Sequence, residues 1–131
     1  MKDATLSKFR HSHPQITSFE YKICDDLQEG KIDFSIQYDK HIEKLDNNHA
    51  IISLTIGMKP INGDGPFCVT CSGQIMFEWS IDDEKIVNQI LAQTAPSVLV
   101  AYMRPLISMF THSSGLPAFE LPLLDFSQES M

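Results

Sequence analysis

Apolar and polar residues alternate with a period of two through most of the first 81 positions, and then the period changes to that of a helix. Over residues 16–23 the pattern sets Phe19, Tyr21 and Ile23 on one side and Glu20 and Lys22 on the other. Over 31–39, Ile32, Phe34, Ile36 and Tyr38 alternate with Asp33, Ser35, Gln37 and Asp39. Over 49–58 one face collects Ala50, Ile52, Leu54, Ile56 and Met58. The longest run, 67–81, holds Phe67, Val69, Cys71, Gly73, Ile75, Phe77, Trp79 and Ile81 at its odd positions. Each segment therefore predicts a strand with one buried face. Asn62-Gly63-Asp64-Gly65-Pro66 predicts a turn, and Gly73 marks a bend or bulge.

Ser80 or Asp82 can cap a helix that runs to about Ala92 with Ile86, Ile90 and Leu91 on one side. Pro96 suits the first turn of a second helix, in which Leu99, Tyr102, Met103, Leu106 and Phe110 recur at helical spacing. Pro105 should kink that helix or remove a hydrogen bond, and Gly115 should end it. Strands followed by helices predict an α+β domain: a four-stranded antiparallel sheet with two C-terminal helices packed on one face. Residues 1–131 then make a single domain, with 1–14 and 127–131 as flexible ends.

Composition narrows the function classes. With 43% hydrophobic and 21% charged residues in 131, the chain reads as an ordinary globular domain. No apolar run approaches the roughly 20 residues that span a bilayer, so membrane insertion is not expected. The net charge of −7 argues against nucleic acid as a partner. The acids are concentrated late: eight Asp/Glu against two Lys/Arg follow Lys59, whereas nine stand against eight before Pro60. Residues 1–10 lack the apolar core of a secretory signal, and the cysteines number three, an odd count; both point to the cytoplasm.

Candidate chemistry is sparse. Cys68 and Cys71 have the spacing of half a metal or redox site, but three residues apart in a strand they should point to opposite faces. His11 with His13, or His13 with His41 or His49, could hold a metal, but short histidine pairs near a mobile N-terminus are usually solvated. Asp82, Asp83 and Glu84 read as helix-start residues. No nucleophile elbow, phosphate loop or H-E-x-x-H motif occurs, so neither an enzyme nor a bound cofactor or metal is expected. The remaining feature is apolar surface. Phe119, Leu121, Leu123, Leu124 and Phe126 follow the last helix, and they either complete the core or line a groove for extended apolar segments.

The run Ala95-Pro96-Ser97-Val98-Leu99-Val100-Ala101-Tyr102-Met103-Arg104, then Leu106-Ile107-Ser108-Met109 and Gly115-Leu116-Pro117, resembles the C-terminal signature of the SecB protein-export chaperones. Leu121-Pro122-Leu123-Leu124-Asp125-Phe126 resembles that family's closing motif, and Thr17-Ser18-Phe19-Glu20 its first strand. The resemblance implies an ATP-independent holdase that binds unfolded polypeptides, for export or for a dedicated client such as an antitoxin. It implies a homo-oligomer, a dimer of dimers, with Leu99, Tyr102, Met103, Leu106 and Phe110 at the interface. The client groove would draw on Ile23, Leu27, Phe34, Phe119, Leu121, Leu123, Leu124 and Phe126. Glu20 matches one acidic position through which family members dock the SecA motor; the second falls among Val69, Thr70 and Cys71 and is missing. An adaptor for one specific partner, without general chaperone activity, is the alternative.

Overall fold

The computed structural model describes residues 8–23, 34–61, 67–116 and 119–126. Its strands are β1 (Phe9–His11), β2 (Gln15–Ile23), β3 (Phe34–Lys44), β4 (His49–Pro60) and β5 (Phe67–Trp79). They form one antiparallel sheet in which β5 lies between β4 and the β1/β2 pair, and β3 is the far edge. Among the described residues five strands thus occupy four places, one more strand than the alternation predicts. The extra one is β1, which lies within the segment 1–14 expected to be loose and pairs Phe9 with Trp79 and His11 with Phe77. Pro14 has no N–H to donate and breaks the pairing between β1 and β2.

The period-two reading places the core correctly. Ala50, Ile52, Leu54, Ile56 and Met58 of β4 are buried together with Phe67, Val69, Cys71, Ile75, Phe77 and Trp79 of β5. The opposite face is polar and small around the facing residues Thr55 and Ser72, which share a hydroxyl hydrogen bond of 2.8 Å, and carries the facing apolar pair Ile51 and Met76 further along. β3 runs five residues past the predicted end because the inward positions Lys40 and Lys44 still belong to the pattern. Their aliphatic stems cover the core edge while their ammonium groups reach the helix layer. Lys44 Nζ donates to Asn88 Oδ1 at 2.7 Å, and Lys40 Nζ to the Ala92 carbonyl at 2.9 Å. Inward lysines on an edge strand also discourage pairing with other chains.

Among the described residues there is one helix instead of two, Glu84–Ser113, 30 residues long. It is built from α1 (Glu84–Gln89), a π-helical turn (Ile90–Thr94) and α2 (Ala95–Ser113). Its N-cap is Asp83, whose side chain accepts from the Ile86 N–H, rather than Ser80 or Asp82. The wide π turn lies directly before Pro96, which cannot donate to the Ala92 carbonyl four residues back; Lys40 supplies a donor to that oxygen. The break expected at Pro96 is therefore absorbed inside the helix. Pro105 is absorbed too, because it lies on the exposed side, where water can reach the Ala101 carbonyl. Gly115, at φ 82°, ends the helix as predicted, with its N–H on the His112 carbonyl and the Leu116 N–H on that of Thr111.

By length and composition this helix could cross a bilayer, unlike any segment expected from the sequence. One stripe of it, Val87, Leu91, Ala95, Leu99, Met103 and Ile107, is nonetheless buried against the sheet. Each large side chain so buried contributes about 1.5–3 kcal/mol.

Candidate polypeptide-binding surface

Antiparallel pairing brings the end of β2, the start of β3 and the start of β5 to one end of the sheet, where Ile23 faces Phe67 and Phe34 faces Pro60. The last turns of α2 reach the same end. Six aromatic rings meet there. Phe67 is buried at the centre and packs on Tyr21 at 5.7 Å, Phe34 at 4.8 Å and Phe119 at 5.8 Å between centroids. Phe34 also meets Phe119 edge-on at 5.3 Å. Phe110 of α2 packs on Phe19 at 4.8 Å and on Tyr21 at 5.8 Å. The tilted and edge-on geometries are those that aromatic quadrupoles favour. The cluster is only partly closed: Phe110 is 37% exposed, and Ile23, next in line on β2, is 50% exposed.

A backbone irregularity aims β2 at this cluster. Ile16 faces Gly73 and Ser18 faces Ser72, so Thr17 is an extra residue in the ladder. Ile16 and Phe19 are three apart and would point to opposite faces of a regular strand; the bulge lets both point inward.

The tail after the helix lies against α2 and the β3 edge. Phe126 packs on Tyr38 at 4.8 Å, and Leu121 is fully buried. Arg104 Nε donates to the Leu121 carbonyl at 2.8 Å and Nη2 to the Pro122 carbonyl at 3.4 Å. The buried Thr111 hydroxyl accepts from the Phe119 N–H at 2.8 Å and lies 3.0 Å from the Ile107 and Ser108 carbonyls. Thr111→Val leaves the Phe119 N–H without its acceptor. It is expected to cost about 1–3 kcal/mol in urea melts and to speed amide exchange at Phe119. An unchanged exchange rate would mean that Thr111 does not hold the tail.

These contacts sort the residues expected in the groove. Phe34 and Phe119 join the aromatic cluster, and Ile23 borders it. Leu121 and Phe126 are core residues instead of groove walls, because the tail fills the space between helix and edge strand. Leu124 is half-buried, and Leu123 is 90% exposed. Leu27 lies outside the described residues. Of the residues expected at an oligomer interface, Leu99 and Met103 are fully buried against the sheet and cannot meet another chain. Their helical spacing is the inward stripe; Tyr102, 43% exposed, and the half-buried Leu106 lie outside it. Phe110 belongs to the aromatic cluster. Phe19, Tyr21 and Phe67 join it as well, and only their odd positions in strands hinted at a shared face.

Glu20 is exposed on the outer face, opposite Thr70, with Lys22 two residues on along the same face. Cys68 and Cys71 do point to opposite faces, and burial pushes the Cys71 thiol up to about 11, which leaves it protonated and unreactive. Among the described residues no cluster of three or more His, Cys, Asp or Glu side chains could hold a metal ion. His11 stacks on Phe77 at 5.4 Å, and His13 meets Tyr102 edge-on at 5.7 Å.

At the β4–β5 end away from the aromatic cluster, His49 sits between two carboxylates. Asp46 Oδ1 and Oδ2 lie 2.9 and 3.0 Å from Nδ1, and Glu78 Oε2 lies 3.1 Å from Nε2. The hydrogen bond to Asp46 raises His49 above its ordinary 6.5; the Asn48 N–H, then His49, lowers Asp46 below 3.8. A raised histidine stabilises fully below pH 6.5 and loses that contribution as pH climbs through the raised value. The lowered Asp46 stabilises above 3.8 and is lost as pH falls through its lowered value. Wild type should therefore melt above His49→Gln at about pH 5.5, with the gap closing as pH climbs through the raised value of His49. A gap that widens with pH contradicts the assignment.

No protein-family model matches the chain, and no curated protein matches its sequence. Solved structures do match its fold. The SecB-like chaperone of Mycobacterium tuberculosis, in complex with a ChAD peptide from the HigA1 antitoxin, superposes with a TM-score of 0.72 at 12% identity. The match covers 90% of this chain and 92% of that one. A protein of unknown function from Streptococcus agalactiae gives a TM-score of 0.51 at 11% identity, covering 88% of this chain and 97% of the other. The chain thus has a SecB-like α+β fold, as its motifs imply.

Proposed function

We propose that this chain is an ATP-independent holdase that keeps extended, apolar polypeptide segments from aggregating. The partly open aromatic cluster of Phe19, Tyr21, Phe34, Phe67, Phe110 and Phe119 carries the reading. It offers apolar surface of broad specificity and no nucleophile, metal cluster or phosphate loop among its residues. The likeness to a chaperone solved with an antitoxin peptide supports a polypeptide as the occupant.

The mechanism is passive. Client side chains leaving water for the rings gain about 25 cal/mol per Å² of apolar area, less the cost of ordering the client. The gain delays folding and aggregation without a chemical step. Further copies of the chain, meeting through the outward residues Tyr102, Leu106 and Met109, would add avidity. A cytoplasmic homo-oligomer fits this scheme. Hand-off to the SecA motor is not included, because Glu20 has Lys22 beside it and the second acidic position, among Val69, Thr70 and Cys71 of the long strand, holds no acid.

The test is suppression of aggregation of several unrelated unfolded proteins without nucleotide, with the mass read by light scattering in the same sample. Protection of unrelated clients supports the holdase. Protection of none, with one folded partner bound saturably, would replace it with the adaptor reading.

A further inference from the structure

Residues 119–126 pass along the open side of β3, from Phe34 to Tyr38, without forming a helix or strand of their own. Phe119, Leu121, Leu124 and Phe126 turn inward, while Glu120, Pro122, Leu123 and Asp125 are exposed. Among the described residues β3 pairs with β4 alone, and Pro122 has no N–H to offer its free side. Arg104 holds the segment instead, donating to the carbonyls of Leu121 and Pro122. Those hydrogen bonds read main chain and ignore side chains. They are also within reach of an incoming chain: Arg104 is only half-buried, and its contact with Pro122 lies at the surface.

An extended chain with apolar residues turned inward and carbonyls on a donor is also what a bound client would be. The segment starts inside the aromatic cluster, where Phe119 packs on Phe34 and Phe67, so the two surfaces are continuous. Thr111 pins the Phe119 N–H at that near end, which makes Phe119 a pivot for the residues beyond it. We infer that residues 120–126 are a resident occupant of the polypeptide site: a strap that an extended client segment displaces, taking over the hydrogen bonds from Arg104. This inference rests on the polypeptide-binding reading given above, and adds to it a competitor within the chain. The strap covers Tyr38 and fills the space beside α2 until a segment with more apolar surface replaces it. Apparent affinity is then the intrinsic affinity reduced by the fraction of molecules whose strap is off. Segments with little apolar surface do not win the exchange.

The experiment compares wild type with Phe126→Ala. The probe is a fluorescein-labelled peptide of about ten residues, Leu and Phe alternating with Ser, titrated by anisotropy. Nuclear Overhauser contacts between the Tyr38 and Phe126 rings, 4.8 Å apart between centroids, are followed in wild type as unlabelled peptide is added. Phe126→Ala is expected to melt at a lower temperature yet bind the peptide roughly five-fold more tightly, because its strap is easier to dislodge. A merely structural Phe126 would lower both stability and affinity. In wild type the Tyr38–Phe126 contact is expected to vanish at saturation while the Phe34–Phe119 contact persists. Equal or weaker binding by folded Phe126→Ala, or a Tyr38–Phe126 contact retained at saturation, overturns the inference and leaves the polypeptide site standing. The wild-type spectra decide by themselves if Phe126→Ala does not fold. If no folded form binds the peptide, the site reading fails and the inference with it, an outcome distinct from the others.

Discussion

Leu99→Ala is expected to lower the stability by about 3 kcal/mol, read as a shift in the urea midpoint with little change in slope. Leu99 is fully buried beneath the middle of the helix, in the layer that packs on β4 and β5. Truncation removes the transfer free energy of three carbons and leaves a void that the packed sheet cannot close. Tyr102, three residues on and 43% exposed, supplies the contrast: Tyr102→Ala should cost well under about 1 kcal/mol of protomer stability. If the two residues shared an oligomer interface, both substitutions would change the mass measured by light scattering. Inward placement of Leu99 predicts that Leu99→Ala changes stability and leaves the mass of the folded protein unchanged. A change of mass without loss of stability would place Leu99 on the outside.

That pair shows where sequence periodicity stops being informative. A helical stripe says which residues share a face; it does not say whether the face meets the chain's own sheet or another molecule. Leu99 and Met103 meet the sheet. The strands were legible because one face of each is buried and the other is wet, so alternation carries the answer. β1 was missed because Phe9-Arg10-His11 is too short to show a period and lies close to Pro14. The end of β3 was missed because Lys40 and Lys44 stand at inward positions, and only the nearby helix explains why charged groups are tolerated there. The single helix is not legible because Pro96 reads locally as the first turn of a new helix, and the π turn and Lys40 that accommodate it are not written in propensities. The tail had no period at all. Its course depends on Arg104 and Thr111, which are far from it in spacing but adjacent in space. The aromatic cluster is not legible as a unit for the same reason: spacing and motif place Phe34 and Phe119 in a groove, Phe110 at an interface, and Phe19, Tyr21 and Phe67 on strand faces.

Gly73→Val should be the more revealing substitution, because ordinary strand propensity predicts the wrong sign for it. A β-branched residue in place of glycine within a strand is normally stabilising, since it restricts the unfolded chain and packs on its neighbours. At Gly73 a Cβ would stand 3.0 Å from the Gln15 carbonyl oxygen, 3.2 Å from Met103 Cε and 3.4 Å from Ile16 Cδ1. Met103 can yield, since it is flexible at its methyl end. Gln15 cannot yield so easily: its oxygen is backbone, at the start of β2 and next to the Thr17 bulge. Valine adds two methyl groups to that conflict, and a loss of roughly 2–3 kcal/mol is expected from overpacking. The bend read from this glycine in the sequence is thus a close approach of β2 and the helix to β5. The effect should extend to binding. The bulge sets the phase that turns Phe19 and Tyr21 inward, and pushing β2 away from β5 disturbs both rings. Gly73→Val is therefore expected to bind the labelled peptide more weakly than wild type at a temperature where both remain folded. Gly73→Ala should show a smaller loss of stability in the same direction. If Gly73→Val were as stable as wild type, the close packing of β2, the bulge and Met103 on β5 would be wrong, and the bulge could not be what aims the aromatic face.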